Sequence, residues 1–207
     1  SAKACINNKE VKIYEVFDQN QGELREFVSN HHKLSKFFPK LITYNEKYIV
    51  EEWVYGPTLK EIDYKNIDQS NEVKKFINLM WSIKYHKEVF DYIGYIHNRV
   101  EKKNNFNFKN IPLRINHNDL SLDNIILTDK GLKIIDNEFL GYNTGWILNF
   151  RNSFIDDNYE SQNFFSEENI KKLWEIRMEW SRLKNDHQNK IYSFFNYIKK
   201  YLFKFIN

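Results

Sequence analysis

Short apolar and β-branched runs mark the first part of the chain. Residues 2–17 predict a β-hairpin with a turn at Asn7-Asn8-Lys9. Two further strands are expected at 41–44 and 48–53, separated by the polar turn Asn45-Glu46-Lys47. These runs predict a small β part at the N-terminal end of the chain.

Apolar residues at helical spacing mark the other predicted elements. One helix is expected at 22–37, between the two pairs of strands, and a long one at 69–93, with Gly94 just past its end. Nearer the C terminus, the pattern predicts a helix at 166–184 and a last amphipathic helix at 191–205. The chain is therefore expected to have an α+β fold.

Composition narrows the class of protein without naming a function. A chain of 207 residues with 42% hydrophobic residues can bury a core, which argues against a disordered protein. A net charge of +3 is too small to predict nucleic-acid binding. The single cysteine, Cys5, excludes an internal disulfide and fits a reducing compartment. No apolar run is long enough to span a bilayer, and a cytoplasmic location is expected.

The segment 117–138 carries most of the chemical information. It begins with the pattern H-x-D-x-x-x-x-N, and two apolar runs separated by a glycine-containing turn then predict a second hairpin. Folding of this hairpin should bring Asn124 and Asp136, which flank its two strands, side by side. Glu138 would point the same way as Asp136 if that segment stays extended.

These side chains suit a metal–nucleotide site. The amide oxygen of Asn124 and the carboxylates of Asp136 and Glu138 are hard ligands of the kind that Mg²⁺ prefers. Asp119, on the loop before the hairpin, is the candidate base for the proton of a substrate hydroxyl, and His117 is expected to brace the loop. A chance match is the alternative, since Asx residues are common in turns, but the joint spacing favours a functional site.

The segments 117–124 and 135–143 resemble the choline/ethanolamine kinases and, more broadly, the aminoglycoside-phosphotransferase-like branch of the protein-kinase-like superfamily. The resemblance implies a two-lobed fold, with a reduced N-terminal β lobe at 1–56 and a mainly helical lobe at 57–207. It implies ATP and Mg²⁺ as cofactors and Asp119 as the base.

The same resemblance implies the remaining roles at the site. Asn124 and Asp136 would bind metal, with Glu138 assisting at a second metal. Lys12, in the second strand, would contact the α- and β-phosphates, although a solvent-facing strand lysine is the simpler alternative. The ion-pair partner of this lysine would be Glu26, with Glu23 as the second choice.

In the family the link between the lobes binds adenine through its backbone. The resemblance places this contact near Glu52 and Val54.

Three departures from the family pattern leave questions open. Eleven residues without a glycine precede Lys12, so either the chain begins within a longer protein or it is a compact kinase without a glycine-rich loop. The stretch 146–149 lacks the aspartate that braces the catalytic loop in relatives. Ser121 stands where protein kinases carry a lysine or arginine, which favours a small-molecule acceptor over a protein.

The expected reaction is transfer of the ATP γ-phosphoryl group to an alcohol, with choline or ethanolamine as the leading acceptor. A quaternary ammonium group would lie among Trp174, Trp180, Asp156 and Asp157, although aromatics at helical spacing more often belong to a core. Sugars, aminoglycosides and cell-envelope hydroxyls stay open as acceptors. A catalytically impaired nucleotide-binding or scaffolding module is the rival from another class, and the oligomeric state is not predicted.

Overall fold

The computed structural model describes residues 1–62, 67–101, 110–148 and 164–185. These segments form a mixed α+β structure with a small antiparallel sheet and a helical part. The last predicted helix, at 191–205, lies outside the described residues. No helix in the described segments is long and apolar enough to cross a membrane.

The N-terminal part is a four-stranded antiparallel sheet in the order β1-β2-β4-β3. The strands are β1 (Ala2–Ile6), β2 (Lys9–Glu15), β3 (Leu41–Tyr44) and β4 (Tyr48–Glu52). Asn7 and Asn8 both adopt left-handed backbone conformations, with φ of 50° and 61°, as a tight turn between twisted antiparallel strands requires. The predicted hairpin and the predicted strand pair are both confirmed.

Helix α1 (Gln21–Asn30) is shorter than expected. The chain leaves the helix at His31, whose backbone is extended, and makes only a short 3₁₀ turn at Ser35–Phe37. The prediction that the helix continues to Phe37 is wrong because asparagine and histidine are weak helix formers, and two histidines follow Asn30 here.

Two helices, α2 (Ile67–Ser82) and α3 (Tyr92–His97), replace the single long helix predicted at 69–93. The carboxylate of Asp91 accepts a hydrogen bond from the backbone nitrogen of Gly94 at 2.9 Å and so caps a new helix. Gly94 therefore lies inside α3 and does not end the preceding helix. A Cβ atom at this glycine would lie 2.1 Å from the Asp91 carboxylate, which explains the absence of a side chain.

Two small antiparallel pairs follow. β5 (Arg114–Asn116) pairs with β8 (Gly141–Asn143), and β6 (Ile125–Thr128) pairs with β7 (Gly131–Ile134). Gly131 has a φ of 104°, a conformation that favours glycine, so the predicted second hairpin and its turn are confirmed.

The last described helix, α4, spans 167–185. Ser166 begins it as expected, since the serine hydroxyl accepts a hydrogen bond from the backbone nitrogen of Asn169 at 3.4 Å. Leu173, Ile176 and Trp180 of α4 join one continuous core with α1, α2, α3 and the β6–β7 hairpin.

Candidate functional site

The loop that carries the predicted base lies between β5 and β6, and His117 holds it in place. This histidine is fully buried, its Nδ1 accepts a hydrogen bond from the backbone nitrogen of Asp119 at 3.3 Å, and its Nε2 therefore donates to the Ile135 carbonyl at 2.8 Å. Burial lowers the pKa of His117, which keeps the ring neutral. His117 braces the loop, as the sequence predicts.

A second brace of the loop comes from buried asparagine side chains. Asn118 has a left-handed backbone with φ of 64°, and its side-chain nitrogen donates to the Phe139 carbonyl at 2.7 Å. Asn143, in β8, donates to the Phe90 carbonyl at 2.6 Å and accepts from the Gly145 nitrogen at 2.8 Å. Asn118 therefore braces the loop of Asp119, and Asn143 braces the segment after β8, where the stretch 146–149 has no aspartate.

Asn124 lies at the start of the hairpin, close to the position that the sequence predicts. In the β6–β7 register Ile125 faces Ile134, so Asn124 lies opposite Ile135, one residue short of Asp136. The Ile135 nitrogen donates to the Asn124 carbonyl at 2.9 Å. The side-chain nitrogen of Asn124 donates to the Asp119 carbonyl at 2.8 Å, which leaves its amide oxygen as the atom suited to a cation.

Asp136 follows β7 and meets a side chain from the distant sheet. Its backbone is left-handed, with φ of 63°, and its carboxylate accepts a hydrogen bond from the Lys12 ammonium group of β2. Burial raises the pKa of Asp136, but the charge of Lys12 and this hydrogen bond outweigh burial and hold the pKa below its ordinary value. Asp136 is therefore an ionised carboxylate.

Glu138 does not continue an extended strand, contrary to the expectation. Residues Asn137–Phe139 form a 3₁₀ turn because Asp136 turns the chain at its left-handed backbone. The Glu138 carboxylate lies 3.8 Å from the Lys184 ammonium group of α4. Its backbone carbonyl accepts a hydrogen bond from the Gln21 side chain at 3.0 Å.

The ion pair expected between Lys12 and Glu26 is not formed. Glu26 accepts a hydrogen bond from the Tyr44 hydroxyl at 2.8 Å, and Glu23 pairs with Lys87 at 2.7 Å. Both glutamates lie on the face of α1 that is turned to solvent, away from Lys12. The side chain of α1 that faces the sheet belongs to Arg25.

Arg25 and Glu51 form a buried ion pair beside the site. The guanidinium group of Arg25 contacts the Glu51 carboxylate at 3.0 and 3.2 Å, and the two residues are 0% and 1% exposed. Asn137 and Tyr14 also donate to this carboxylate, at 3.3 and 3.2 Å. Asn137 thus ties the turn after Asp136 to the sheet, which explains why asparagine stands between the two acids.

The two residues predicted to contact adenine lie in different places: Glu52 ends β4, and Val54 lies in the segment after it. The backbone nitrogen of Glu52 donates to the Lys40 carbonyl at 2.9 Å, and the Glu52 carboxylate accepts from the Lys40 nitrogen at 2.9 Å. The Glu52 nitrogen is therefore already bonded and not open to a base. Val54 is half-buried in the irregular segment after β4, and its contact with adenine stays a prediction.

The residues predicted for the acceptor do not form a cage among the described segments. Trp180 is 6% exposed and packs edge-on against Phe139 and Tyr92, and Trp174 packs against the same core. The Trp180 ring lies 4.9 Å from the Arg177 guanidinium group and 5.5 Å from the Lys184 ammonium group. Two cations of α4 therefore already lie against this ring. The other two predicted residues, at 156 and 157, lie outside the described residues.

Arg177 belongs to the site, and the sequence analysis missed it. Its guanidinium group donates to the Asp119 carboxylate at 2.6 Å and also to the Ser181 hydroxyl, and its side chain is 4% exposed. The signal in the sequence is weak: Arg177, Ser181 and Lys184 share one face of a helix, interleaved with apolar residues.

By type, the three ligands predicted from the sequence are oxygen donors that suit Mg²⁺. The described residues contain no group of three or more His, Cys, Asp or Glu side chains that could hold a metal ion. Asn124, Asp136 and Glu138 offer one amide and two carboxylates, and Mg²⁺ on a nucleotide is typically held by one or two carboxylates together with phosphate oxygens and water. The ionised state of Asp136 meets the requirement for a charged oxygen ligand.

No protein-family model matches the chain, and no curated protein matches it at a significant level. The chemistry of the site is therefore the basis for inferring a function.

Proposed function

We propose that the chain is an ATP-dependent phosphotransferase with a protein-kinase-like fold, which transfers the γ-phosphoryl group to a hydroxyl of a small molecule. The observation that carries the proposal is the contact between Lys12 and Asp136, which are 124 residues apart in sequence. A chance H-x-D-x-x-x-x-N pattern gives no reason for a strand lysine to meet the acid that follows the hairpin. A nucleotide site needs both, because lysine binds phosphate and the acid binds its metal.

The proposed roles follow from the positions of the side chains. Lys12 binds the phosphates of ATP, and Asn124 and Asp136 hold Mg²⁺ with help from Glu138. When bound, Mg²⁺ neutralises charge on the phosphates and orders them. Asp119 accepts the proton of the acceptor hydroxyl as that oxygen bonds to the γ-phosphorus and the bond from phosphorus to the ADP oxygen breaks. No covalent bond to the enzyme is required, because positioning and charge stabilisation supply the catalysis.

The resemblance names an amino alcohol, choline or ethanolamine, as the first acceptor to test. Sugars, aminoglycosides and cell-envelope hydroxyls are the next candidates. Trp180 is buried, and Arg177 and Lys184 lie against it, so this tryptophan does not favour a cationic acceptor. A panel of alcohols of different charge is therefore the appropriate test.

A specific observation favours a second candidate, a nucleotide-binding or scaffolding module without activity. Each acid of the site already lies beside a cation of the chain: Asp119 beside Arg177, Asp136 beside Lys12, and Glu138 beside Lys184. Such a charge-balanced site can persist without turnover. The two candidates differ in whether phosphoryl transfer follows nucleotide binding.

The test combines Mg·ATP binding by calorimetry with ATP turnover over the panel, with Asp119→Asn as the diagnostic variant. We expect Asp119→Asn to lower turnover by about 10²- to 10⁴-fold while nucleotide affinity stays the same, because the base is lost and the phosphate contacts remain. Asp123→Asn is the matched control, since Asp123 lies on the same loop but pairs with Lys60 on the surface at 3.1 Å.

Three outcomes would decide between the candidates. Full turnover in Asp119→Asn contradicts the assignment of the base. Binding of Mg·ATP by the unaltered chain without turnover on any acceptor favours the inactive module. Absence of Mg·ATP binding contradicts the phosphotransferase and a nucleotide-binding module, and leaves only the scaffolding role.

A further inference from the structure

One face of α4 reaches the segments that carry the candidate site. Arg177 and Lys184 are seven positions apart, two helical turns, and so project from the same side of the helix. Arg177 contacts Asp119 and Lys184 lies beside Glu138, so α4 contacts both the loop before the hairpin and the turn after it. The helix therefore supplies charge to the site as well as apolar side chains to the core.

The surroundings of Arg177 fix its guanidinium group. The side chain is 4% exposed, and burying an arginine is costly unless its charge is paired and its nitrogens are hydrogen-bonded. Asp119 supplies the opposite charge at 2.6 Å, and Ser181, one helical turn further on, accepts a second hydrogen bond. The guanidinium group also lies 4.9 Å from the Trp180 ring and 5.7 Å from the Tyr92 ring.

The loop itself carries no cation near Asp119. The residue two positions after Asp119 is Ser121, and the six residues from 119 to 124 contain no lysine or arginine. Among the residues that the structure describes, a positive charge reaches the candidate base from a helix 58 residues further along the chain.

We propose that Arg177 is a positioning residue for phosphoryl transfer, an inference that rests on the proposed function. It holds the Asp119 carboxylate in the orientation in which that group receives the proton of the acceptor hydroxyl. A carboxylate on a loop is free to rotate about its side-chain torsions, and a charge-assisted hydrogen bond from a buried arginine removes that freedom. Arg177 acts through Asp119 and is not assigned any contact with ATP or the acceptor.

A purely structural role is the alternative, in which Arg177 only fills space between Trp180 and Tyr92. The substitutions Arg177→Met and Arg177→Lys separate the two roles. Both new side chains are long and unbranched and preserve packing, but only lysine restores a charge for Asp119. A structural role affects both variants alike, whereas a positioning role separates them in turnover.

The experiment measures kcat and the KM for ATP with the best acceptor of the panel, together with thermal unfolding and calorimetric binding of Mg·ATP. We expect Arg177→Met to lower kcat by about a hundredfold, because misplacement of a reacting group by about 1 Å has an effect of that size. Its KM for ATP should change by less than about twofold, since the uniform binding of nucleotide is untouched. Arg177→Lys should stay within about tenfold of the unaltered kcat, because an ammonium group can also donate a charge-assisted hydrogen bond to Asp119.

Lys172→Met is the matched control, because Lys172 lies on the same helix but pairs with Glu168 in an exposed ion pair away from Arg177. We expect its kcat to stay within about twofold of the unaltered value. If Arg177→Met does not fold, Arg177→Gln, which is neutral but retains hydrogen bonding, takes its place in the same comparison.

The outcomes separate this inference from the proposed function. Turnover by the unaltered chain with equal kcat in the methionine and lysine variants overturns the role of Arg177 and leaves the phosphotransferase intact. Absence of turnover in the unaltered chain on every acceptor overturns the phosphotransferase, and the positioning role with it. A hundredfold fall of kcat in the methionine variant, with kcat largely restored in the lysine variant, supports both the phosphotransferase and the positioning role of Arg177.

Discussion

Two ion pairs on the same sheet differ in almost every physical respect. Lys12 of β2 lies directly opposite Glu51 of β4, yet each of these residues pairs with a different partner. Lys12 pairs with Asp136, whose side chain is 39% exposed, whereas Glu51 pairs with Arg25 in a pair that is 0% and 1% exposed. The Asp136 carboxylate is partly accessible to solvent, although Lys12 is only 13% exposed, whereas the Arg25–Glu51 pair lies in the interior.

This difference in exposure indicates that the two ion pairs have different roles. A buried pair is stable only when hydrogen bonds satisfy its remaining atoms, as Tyr14 and Asn137 do for Glu51. A partly exposed pair can be broken at low cost, because water, phosphate or a metal ion can replace either partner. We infer that Arg25 and Glu51 maintain the fold, while Lys12 and Asp136 can exchange each other for a ligand.

The largest effect is expected when the buried pair is broken. Glu51→Gln leaves the Arg25 charge buried without an opposite charge, and we expect the free energy of unfolding to fall by about 3–5 kcal/mol. Urea unfolding measures this loss. Glu46→Gln, in the exposed turn before β4, is the control and should change stability by less than about 0.5 kcal/mol. A loss below about 1 kcal/mol in Glu51→Gln would contradict the structural role of the pair.

Breaking the Lys12–Asp136 pair should instead affect nucleotide binding more than stability. If Lys12 binds phosphate as proposed, Lys12→Met removes a charged contact worth about 1.5–3 kcal/mol, and Mg·ATP should bind about tenfold to a hundredfold more weakly. Stability should change by no more than about 1 kcal/mol, because Asp136 is partly exposed and water can hydrate it. Calorimetric titration with Mg·ATP and urea unfolding together test the prediction.

Lys9→Met provides the matched control for the same strand. Lys9 begins β2 and its side chain is exposed, so its removal should leave nucleotide affinity unchanged. Equal affinity in Lys12→Met and the unaltered chain would remove Lys12 from the proposed site.

The sequence predicts those parts of the site that depend on local structure. The β6–β7 hairpin follows from two apolar runs and the turn at Gly131, and it brings Asn124 within one residue of the predicted register with Asp136. The error of one residue arises because the strands end at Ile125 and Ile134, which places Ile135 opposite Asn124. Local patterns set the existence of a hairpin more firmly than its last pair.

Long-range pairing is where the sequence analysis fails. The motif alone does not reveal that α1 contributes Arg25 to the sheet and turns Glu26 to solvent, because one residue along a helix changes the face by about 100°. Arg177 was missed for a similar reason, since its contact with Asp119 spans 58 residues. The start of α3 is set by a cap at Asp91, which periodicity does not detect.

The smallest expected effect concerns His117, the buried histidine that braces the loop of Asp119. Burial lowers the pKa of His117 and outweighs the opposing effects of Asp119 and of the hydrogen bond to Ile135. Below about pH 6.5 the unfolded chain takes up a proton that the folded chain cannot accept, so stability should fall as the pH is lowered, by at most about 1.4 kcal/mol per pH unit. Above that pH this contribution to stability is fully present.

Urea unfolding between pH 7 and 5.5 tests this dependence before most carboxylates titrate. His117→Gln, which can still donate a hydrogen bond to the Ile135 carbonyl but does not titrate, should flatten the slope. His32→Gln is the control, because His32 is exposed, and it should leave the slope unchanged. An unaltered slope in His117→Gln would mean that another group responds to pH. The expected flattening would show that the loop of Asp119 is held to the chain at Ile135 by a histidine that must stay neutral.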